Sequence, residues 1–338
     1  MDRASKEHAI GMLSDILAPI GAYLARADVQ EIMINAPNEV WVEERGVTRR
    51  LDVELGDVAI RSAIDMLARI VGKVADKDGP GAIVDARLEG LRFAAALESV
   101  SAKGPSICIR RHSPVVLSLE DYVEAGALDP VRSEVLRRAV TGRKNILVSG
   151  GTSSGKTTAL NAMIALIGRD ERLVTIEDTR ELRVEAPNWV AFEANEQAGV
   201  AIRHLVKLAL RYRPDRIIVG EVRGPEAFDL MQAMNTGHDG GIATIHANSA
   251  RDALARLEGL VLTTPDVDWP LEAIRDQIGR TFDYVIHMER AKLDGRTVRR
   301  FAELAAIERY DHERGDYVIS ILKEGTTYEP SRPQTATA

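Results

Sequence analysis

Eight residues constrain this chain more than any others: Gly150-Gly151-Thr152-Ser153-Ser154-Gly155-Lys156-Thr157. They read G-x-x-x-x-G-K-T. Before them, Asn145-Ile146-Leu147-Val148-Ser149 is a short apolar run suited to a buried strand. After them, Leu160, Met163, Ile164 and Ile167 recur at helical spacing. A strand that turns through a glycine-rich loop into a helix belongs to an α/β fold with a mainly parallel sheet.

The residue types suit a polyphosphate. Gly150 and Gly155 let the backbone turn tightly, so that successive N–H groups form an anion nest. The helix that follows offers its positive end to the same anion. Lys156 is expected to reach the β- and γ-phosphates, and the Thr157 hydroxyl to ligate Mg²⁺. Gly151, Thr152, Ser153, Ser154 and Thr158 complete the expected nucleotide contacts.

The 338 residues suggest two domains. With 45% hydrophobic and 28% charged residues, the composition is that of an ordinary globular protein. The net charge of −7 argues against a broad nucleic-acid footprint. Cys108 is the only cysteine, which excludes an intrachain disulfide and suits a reduced, cytoplasmic setting. The most apolar stretch, Ala9 to Ala25, is broken by Ser14, Asp15 and Pro19, so no membrane span is expected, and no signal peptide is recognisable.

Residues 7–25 read as an amphipathic helix with a break near Pro19, set either on a membrane surface or, more simply, on its own domain. Strands are expected at 31–35, 40–43, 47–51, 82–84, 91–97 and 106–110, with a helix at 57–72. Together they form an α+β domain over residues 1–112. Arg92, Arg110 and Arg111 lie on its last strands, where a solvated face is the default reading. Residues 113–130 read as a linker, residues 131–324 as the nucleotide domain, and the polar tail 325–338 as disordered.

Past the loop, Arg172-Leu173-Val174-Thr175-Ile176 is a second buried strand ending in Glu177-Asp178-Thr179-Arg180-Glu181. Carboxylates at that position polarise a water or hold Mg²⁺, or simply form a polar turn. The strand Arg216 to Val219 leads through Gly220 into Glu221, an acid placed for the Mg²⁺ shell, with Gly220 allowing close approach to the nucleotide. His238 and His246 flank the strand Ile242 to Ile245. The carboxyl edge of a parallel sheet binds ligands, so either histidine is a γ-phosphate contact or a satisfied structural group. Arg203, Lys207 and Arg211 share a helix face, solvated or in a subunit contact. Further helices are expected near 250–262 and 270–279, strands near 282–288, 297–307 and 316–322, and turns at Asp294-Gly295 and Asp311 to Asp316.

GGTSSGKTT (150–158), TIEDTREL (175–182), RPDRIIVGEVRG (213–224) and TGHDGGIATIHANS (236–249) together resemble the type II/IV secretion ATPases. EIMINAPNEVWVEERG (31–46) and SICIRRHSP (106–114) resemble the family's N-terminal domain and its join to the motor. The likeness spans roughly residues 12–310 and is nearest to the conjugal transfer ATPases of type IV secretion. It implies a RecA-like ATPase domain after a PAS-like domain, working as a homo-hexamer on ATP and Mg²⁺ at the inner face of the inner membrane, beside other secretion components. Glu181 then corresponds to the catalytic glutamate, with Glu177 beside it. Glu221 corresponds to the Walker B acid, and His238 to His246 to the His box. Arg92 and Arg110 or Arg111 become candidate phosphate contacts, against their default reading. A pilus or type II secretion motor, a P-loop small-molecule kinase, and a non-catalytic nucleotide-gated module are the alternatives.

Overall fold

The computed structural model describes residues 3–88, 90–111, 116–195, 198–265, 267–293 and 296–322. They form two compact units, one ending before Val116 and one beginning there. The tail 325–338, the Asp294-Gly295 turn and residues 113–115 of the expected linker lie outside the described residues.

In the first unit, α1 (Arg3–Ile16) and α2 (Ala18–Leu24) are two halves of the expected amphipathic helix. The break falls so that Pro19 lies in the first turn of α2, where a missing N–H costs nothing. Ala9, Leu13, Leu17 and Ile20 are buried in this unit's own core, so the apolar face is used within the chain. Strands β1 (Val29–Ala36), β2 (Glu39–Glu44), β3 (Val47–Leu51), β4 (Ile83–Leu88), β5 (Leu91–Ala96) and β6 (Ser106–Arg111) make one antiparallel sheet. Their order is β3-β2-β1-β6-β5-β4. In β2, Val40 and Val42 are fully buried, and the alternate positions face the other side. Helix α3 (Asp57–Ile70) lays Ile60, Ile64 and Leu67 into the same core.

The second unit begins with α4 (Leu119–Glu124) and α5 (Pro130–Thr141), and then β7 (Ile146–Gly150) and α6 (Lys156–Ile164). Next come β8 (Leu173–Glu177), β9 (Trp189–Glu193), α7 (Ile202–Ala209), β10 (Arg216–Val222), α8 (Glu226–Asn235) and β11 (Ile242–Ile245). It ends with α9 (Ala250–Leu262), α10 (Leu271–Thr281), β12 (Tyr284–Leu293), β13 (Arg296–Asp311) and β14 (Asp316–Ile321). The sheet order is β14-β13-β12-β7-β11-β10-β8-β9. Every pair from β12 to β9 is parallel, and β13 and β14 add an antiparallel edge.

Alternate residues of the central strands feed two cores. Ile146 and Val148 join α4, α5 and α6 on one face, while Leu147 joins α7 to α10 on the other. A strand covered on both faces reads as an unbroken apolar run, as β7 does.

The segment read as a linker is packed from Leu119 onward. Leu119, Tyr122, Ala127 and Leu128 are buried in the second core, and the Tyr122 ring meets Phe301 edge-on at 4.9 Å. The sequence reading lacked β9, because no helix separates it from β8 and its residues are only half-buried at a sheet edge. Among the described residues, no helix is long and apolar enough to cross a membrane.

Candidate functional site

Four parallel strands, β7, β11, β10 and β8, are neighbours, and their carboxyl ends carry the loop, His246, Glu221 and the Glu177–Glu181 segment respectively. The loop itself is built on left-handed backbone. Gly150, Ser153 and Gly155 have φ of 156°, 58° and 97°. A Cβ on Gly150 would meet the Ser154 hydroxyl at 2.4 Å and the Met288 carbonyl at 2.5 Å, so glycine is required there on two grounds. Gly151 and Thr152 are exposed, and Thr157 and Thr158 are half-buried in the first turn of α6.

Lys156 is buried and folds back over the loop. Its Nζ donates to the carbonyls of Gly150 (2.9 Å) and Gly151 (3.0 Å) and lies 3.3 Å from His246 Nδ1. Burial lowers its pKa, while the carboxylates of Glu221 and Glu181 act in the opposite direction. A cation held by neutral acceptors, two carbonyls and a ring nitrogen, exchanges them readily for phosphate oxygens, which are charged acceptors.

Glu221 sits at the end of β10. Arg223 donates to its Oε2 at 2.5 Å and to Asp178 at 3.1 Å. His246 Nε2 stands 2.8 Å from Glu221 Oε1, off the hydrogen-bond line, so that buried oxygen has no hydrogen-bond partner among the described residues. Burial, then the nearby Lys156 charge, pushes the His246 pKa down and keeps the ring neutral.

The two outer members of the acidic segment have different environments. Glu177 is 3% exposed, and its Oε1 accepts from the N–H groups of Glu181 (2.7 Å) and Leu182 (2.9 Å). It packs under Gly220, where a Cβ would stand 2.9 Å from Glu177 Cγ. Gly220 thus makes room for a carboxylate. Glu177, expected among the catalytic acids, has one carboxylate oxygen taken up by the backbone N–H groups of its own segment. Glu181 is half-buried, and its charge acts on Lys156 and Arg223. Asn161 of α6 fixes the chain two residues on by accepting from Arg183 N at 2.8 Å.

Burial raises the Glu177 carboxyl from its ordinary 4.5 to about 7. The folded state therefore holds a proton that the unfolded chain releases, and that stabilisation is lost as pH rises from about 4.5 through about 7. A shift of that size corresponds to roughly 3 kcal/mol. Glu177→Gln, which keeps the accepting oxygen, is expected to match the wild type near pH 5 and to exceed its stability at pH 8. Urea melts at the two pH values check this, and parallel pH profiles for the two proteins would refute it.

The structure separates the two histidines. His246 follows β11 and His238 precedes it, so His238 lies at the opposite, amino-terminal edge of the sheet. There Gly240 and Gly241 donate to Asn145 Oδ1 at 2.9 and 3.0 Å, and buried Arg216 pairs with Glu171 at 2.7 Å. The four-residue strand β11 separates His238 from His246.

The first unit holds Arg92, Arg110 and Arg111. Arg92 pairs with Asp85 at 2.7 Å, Arg110 lies 3.4 Å from Glu31, and Arg111 donates to the Leu24 carbonyl. Arg203 and Lys207 both pair with Asp229 of α8, at 2.7 and 3.5 Å, so that helix face is tied within the chain.

Sequence reasoning missed Arg223 and Arg299. Arg223 lies two residues past Glu221, a spacing that puts both on one side of an extended chain. Arg299 of β13 donates to the Ser153 carbonyl at 3.0 Å and lies along Gly155. Nothing local could signal that contact, because 146 residues separate the partners.

For Mg²⁺, the donors on hand are the Thr157 hydroxyl and the unsatisfied Glu221 oxygen, both hard oxygens that fit the ion. No group of three or more His, Cys, Asp or Glu side chains is placed to hold a metal among the described residues. The ion would therefore need phosphate oxygens to complete its shell.

Comparison with known proteins identifies the family. The family described as type II/IV secretion system protein matches residues 15–290. A probable conjugal transfer protein TrbB of Sinorhizobium fredii is 36% identical over 301 residues, covering 88% of this chain and 89% of the relative. The type IV secretion system protein PtlH of Bordetella pertussis is 35% identical over 305 residues, covering 81% and 89%. The solved ATPase DotB of Yersinia pseudotuberculosis superposes with a TM-score of 0.63 at 18% identity, covering 86% of this chain and 78% of that one. The pilus retraction motor PilT, solved with ADP, gives 0.59 at 22%, covering 93% and 83%. These two likenesses concern the α/β fold. The chain belongs to the type II/IV secretion system protein family.

Proposed function

We propose that this protein is a Mg²⁺-dependent ATP hydrolase that powers type IV secretion of the conjugal-transfer kind. The carrying observation is the convergence of Lys156, Glu221 and His246 beside the phosphate loop, with His246 standing 2.8 Å from Glu221 and 3.3 Å from Lys156 Nζ. The second unit is read as a RecA-like ATPase domain and the first as a PAS-like domain, in a homo-hexamer.

In this reading Lys156 moves from the loop carbonyls to the β- and γ-phosphates, and the N–H groups of Gly151 to Thr158 cradle the chain. Glu181 takes a proton from water. The water oxygen bonds to the γ-phosphorus while the bond to the bridging oxygen breaks. ADP leaves with that electron pair, and orthophosphate is the second product. Thr157 and Glu221 would hold Mg²⁺, which supplies positive charge beside the phosphates when bound. Arginines of the first unit, Arg92 and Arg110 or Arg111, stabilise the leaving charge, a contribution worth ~10³–10⁵ in rate where such residues act. His246, neutral between Lys156 and Glu221, senses phosphate loss. The partners are inner-membrane secretion components, with the protein peripheral to the cytoplasmic face.

The test is mass photometry with and without Mg-ATP, with phosphate release followed on the same sample. A six-subunit species that hydrolyses ATP without an added acceptor supports the motor. A monomer that forms ADP only with an acceptor overturns it in favour of a kinase, and a ring that binds ATP without turnover overturns it in favour of a gated module.

A further inference from the structure

Beside the phosphate loop opens a cleft of about 500 Å³, lined by Gly151, Thr152, His246, Asn248, Asp252 and Arg256. One wall is the exposed start of the loop, and the other is the first two turns of α9. Lys156 Nζ adjoins two of its lining residues, 3.0 Å from the Gly151 carbonyl and 3.3 Å from His246 Nδ1. The cleft is thus continuous with the place where the terminal phosphate of a bound nucleotide belongs.

Arg256 is the outer cation of this cleft. It is exposed and has no carboxylate partner among the described residues, whereas Arg251 on the same helix pairs with Asp316 and Arg275 pairs with Glu258 at 3.0 Å. An exposed guanidinium lining a polar cleft has its planar donor fork open to an oxyanion. The α9 N-terminus cannot substitute for it. The Ala250 N–H is taken by Glu303 at 2.8 Å and the Asp252 N–H by the Ser249 hydroxyl at 3.0 Å. Asp252, whose carboxylate also lines the cleft, opposes an anion. A site lined by one cation and one acid, with Lys156 beside its inner wall, favours brief occupancy over tight storage. The Arg256 charge also acts on His246.

We propose that this cleft is an orthophosphate site on the product side of the reaction, in which Arg256 holds the ion on its way out and His246 forms the inner wall. The proposal rests on the reading of the loop as an ATP hydrolase. Ser249 caps α9 three residues after His246, so an ion bridging Arg256 and the loop ties that helix to the nucleotide site until it leaves.

The test uses the full chain and inorganic phosphate. Inhibition of steady-state ATP hydrolysis by added phosphate, and phosphate binding to the ADP-loaded protein by calorimetry, are compared for wild type, Arg256→Gln and Arg256→Lys. Arg256→Gln is expected to weaken phosphate binding and inhibition by at least about tenfold with ADP affinity retained. Arg256→Lys, which restores the charge without the fork, is expected to fall between. A wild type that hydrolyses ATP, with an Arg256→Gln variant inhibited by phosphate as strongly, overturns the site and leaves the hydrolase standing. A wild type that binds ADP but never releases phosphate from ATP overturns both.

Discussion

Lys156→Ala is expected to lower ATP turnover by at least about 10³-fold while the protein stays folded. The side chain is the one buried cation of the phosphate loop, and it is held by two carbonyls at 2.9 and 3.0 Å. A hydrogen bond to a charged group is worth about 1.5–3 kcal/mol. Losing two or three of them in the transition state removes roughly 4–6 kcal/mol, which is ~10³–10⁴ in rate. Stability has no comparable stake in it, because burial already penalises the Lys156 charge. Phosphate release and thermal melting on the same preparation check the prediction. Residual turnover above about a tenth of wild type would contradict the phosphate-loop assignment on which every other role depends.

The second large effect separates two glutamates four residues apart. Glu181→Gln is expected to bind ATP normally and hydrolyse it about 10²–10⁴-fold more slowly, the range for loss of a positioned general base. Glu177→Gln is expected to retain turnover within about tenfold. The reason is geometric. Glu177 Oε1 is occupied by the N–H groups of Glu181 and Leu182 and is sealed beneath Gly220. An oxygen in that position orders the segment that carries Glu181, and its hydrogen bonds are spent on backbone. Nucleotide binding by fluorescence and single-turnover hydrolysis distinguish the two variants. Normal turnover in Glu181→Gln, with collapse in Glu177→Gln, would reverse the roles.

The chain order of the motifs was legible because each is local. A glycine-rich loop between an apolar run and a helical stripe declares its backbone in nine consecutive residues, Gly150 to Thr158. The strands ending in Glu177, Glu221 and His246 were legible for the same reason: a strand buried on both faces is a short apolar run, and its polar end stands out. Other features were not visible in this way. His238 and His246 look equivalent in a sequence, since both flank one apolar run, and only strand direction puts one at the nucleotide edge and the other opposite. Strand β9 was missed because half-buried edge residues carry little periodicity.

By itself, the sequence determined that the chain has a phosphate loop in an α/β unit, three later acid- or histidine-ended strands, and an α+β unit before them. These follow from hydrophobic period and from residues with special backbone freedom, both of which act over a few positions. Tertiary structure alone decided which groups meet. It brought Arg223 to Asp178 over 45 residues, Arg299 to Ser153 over 146, and Lys156 to His246 over 90. It also buried Glu177 while leaving Glu181 half-buried. Sheet order and packing set those distances, and no short stretch of sequence encodes them.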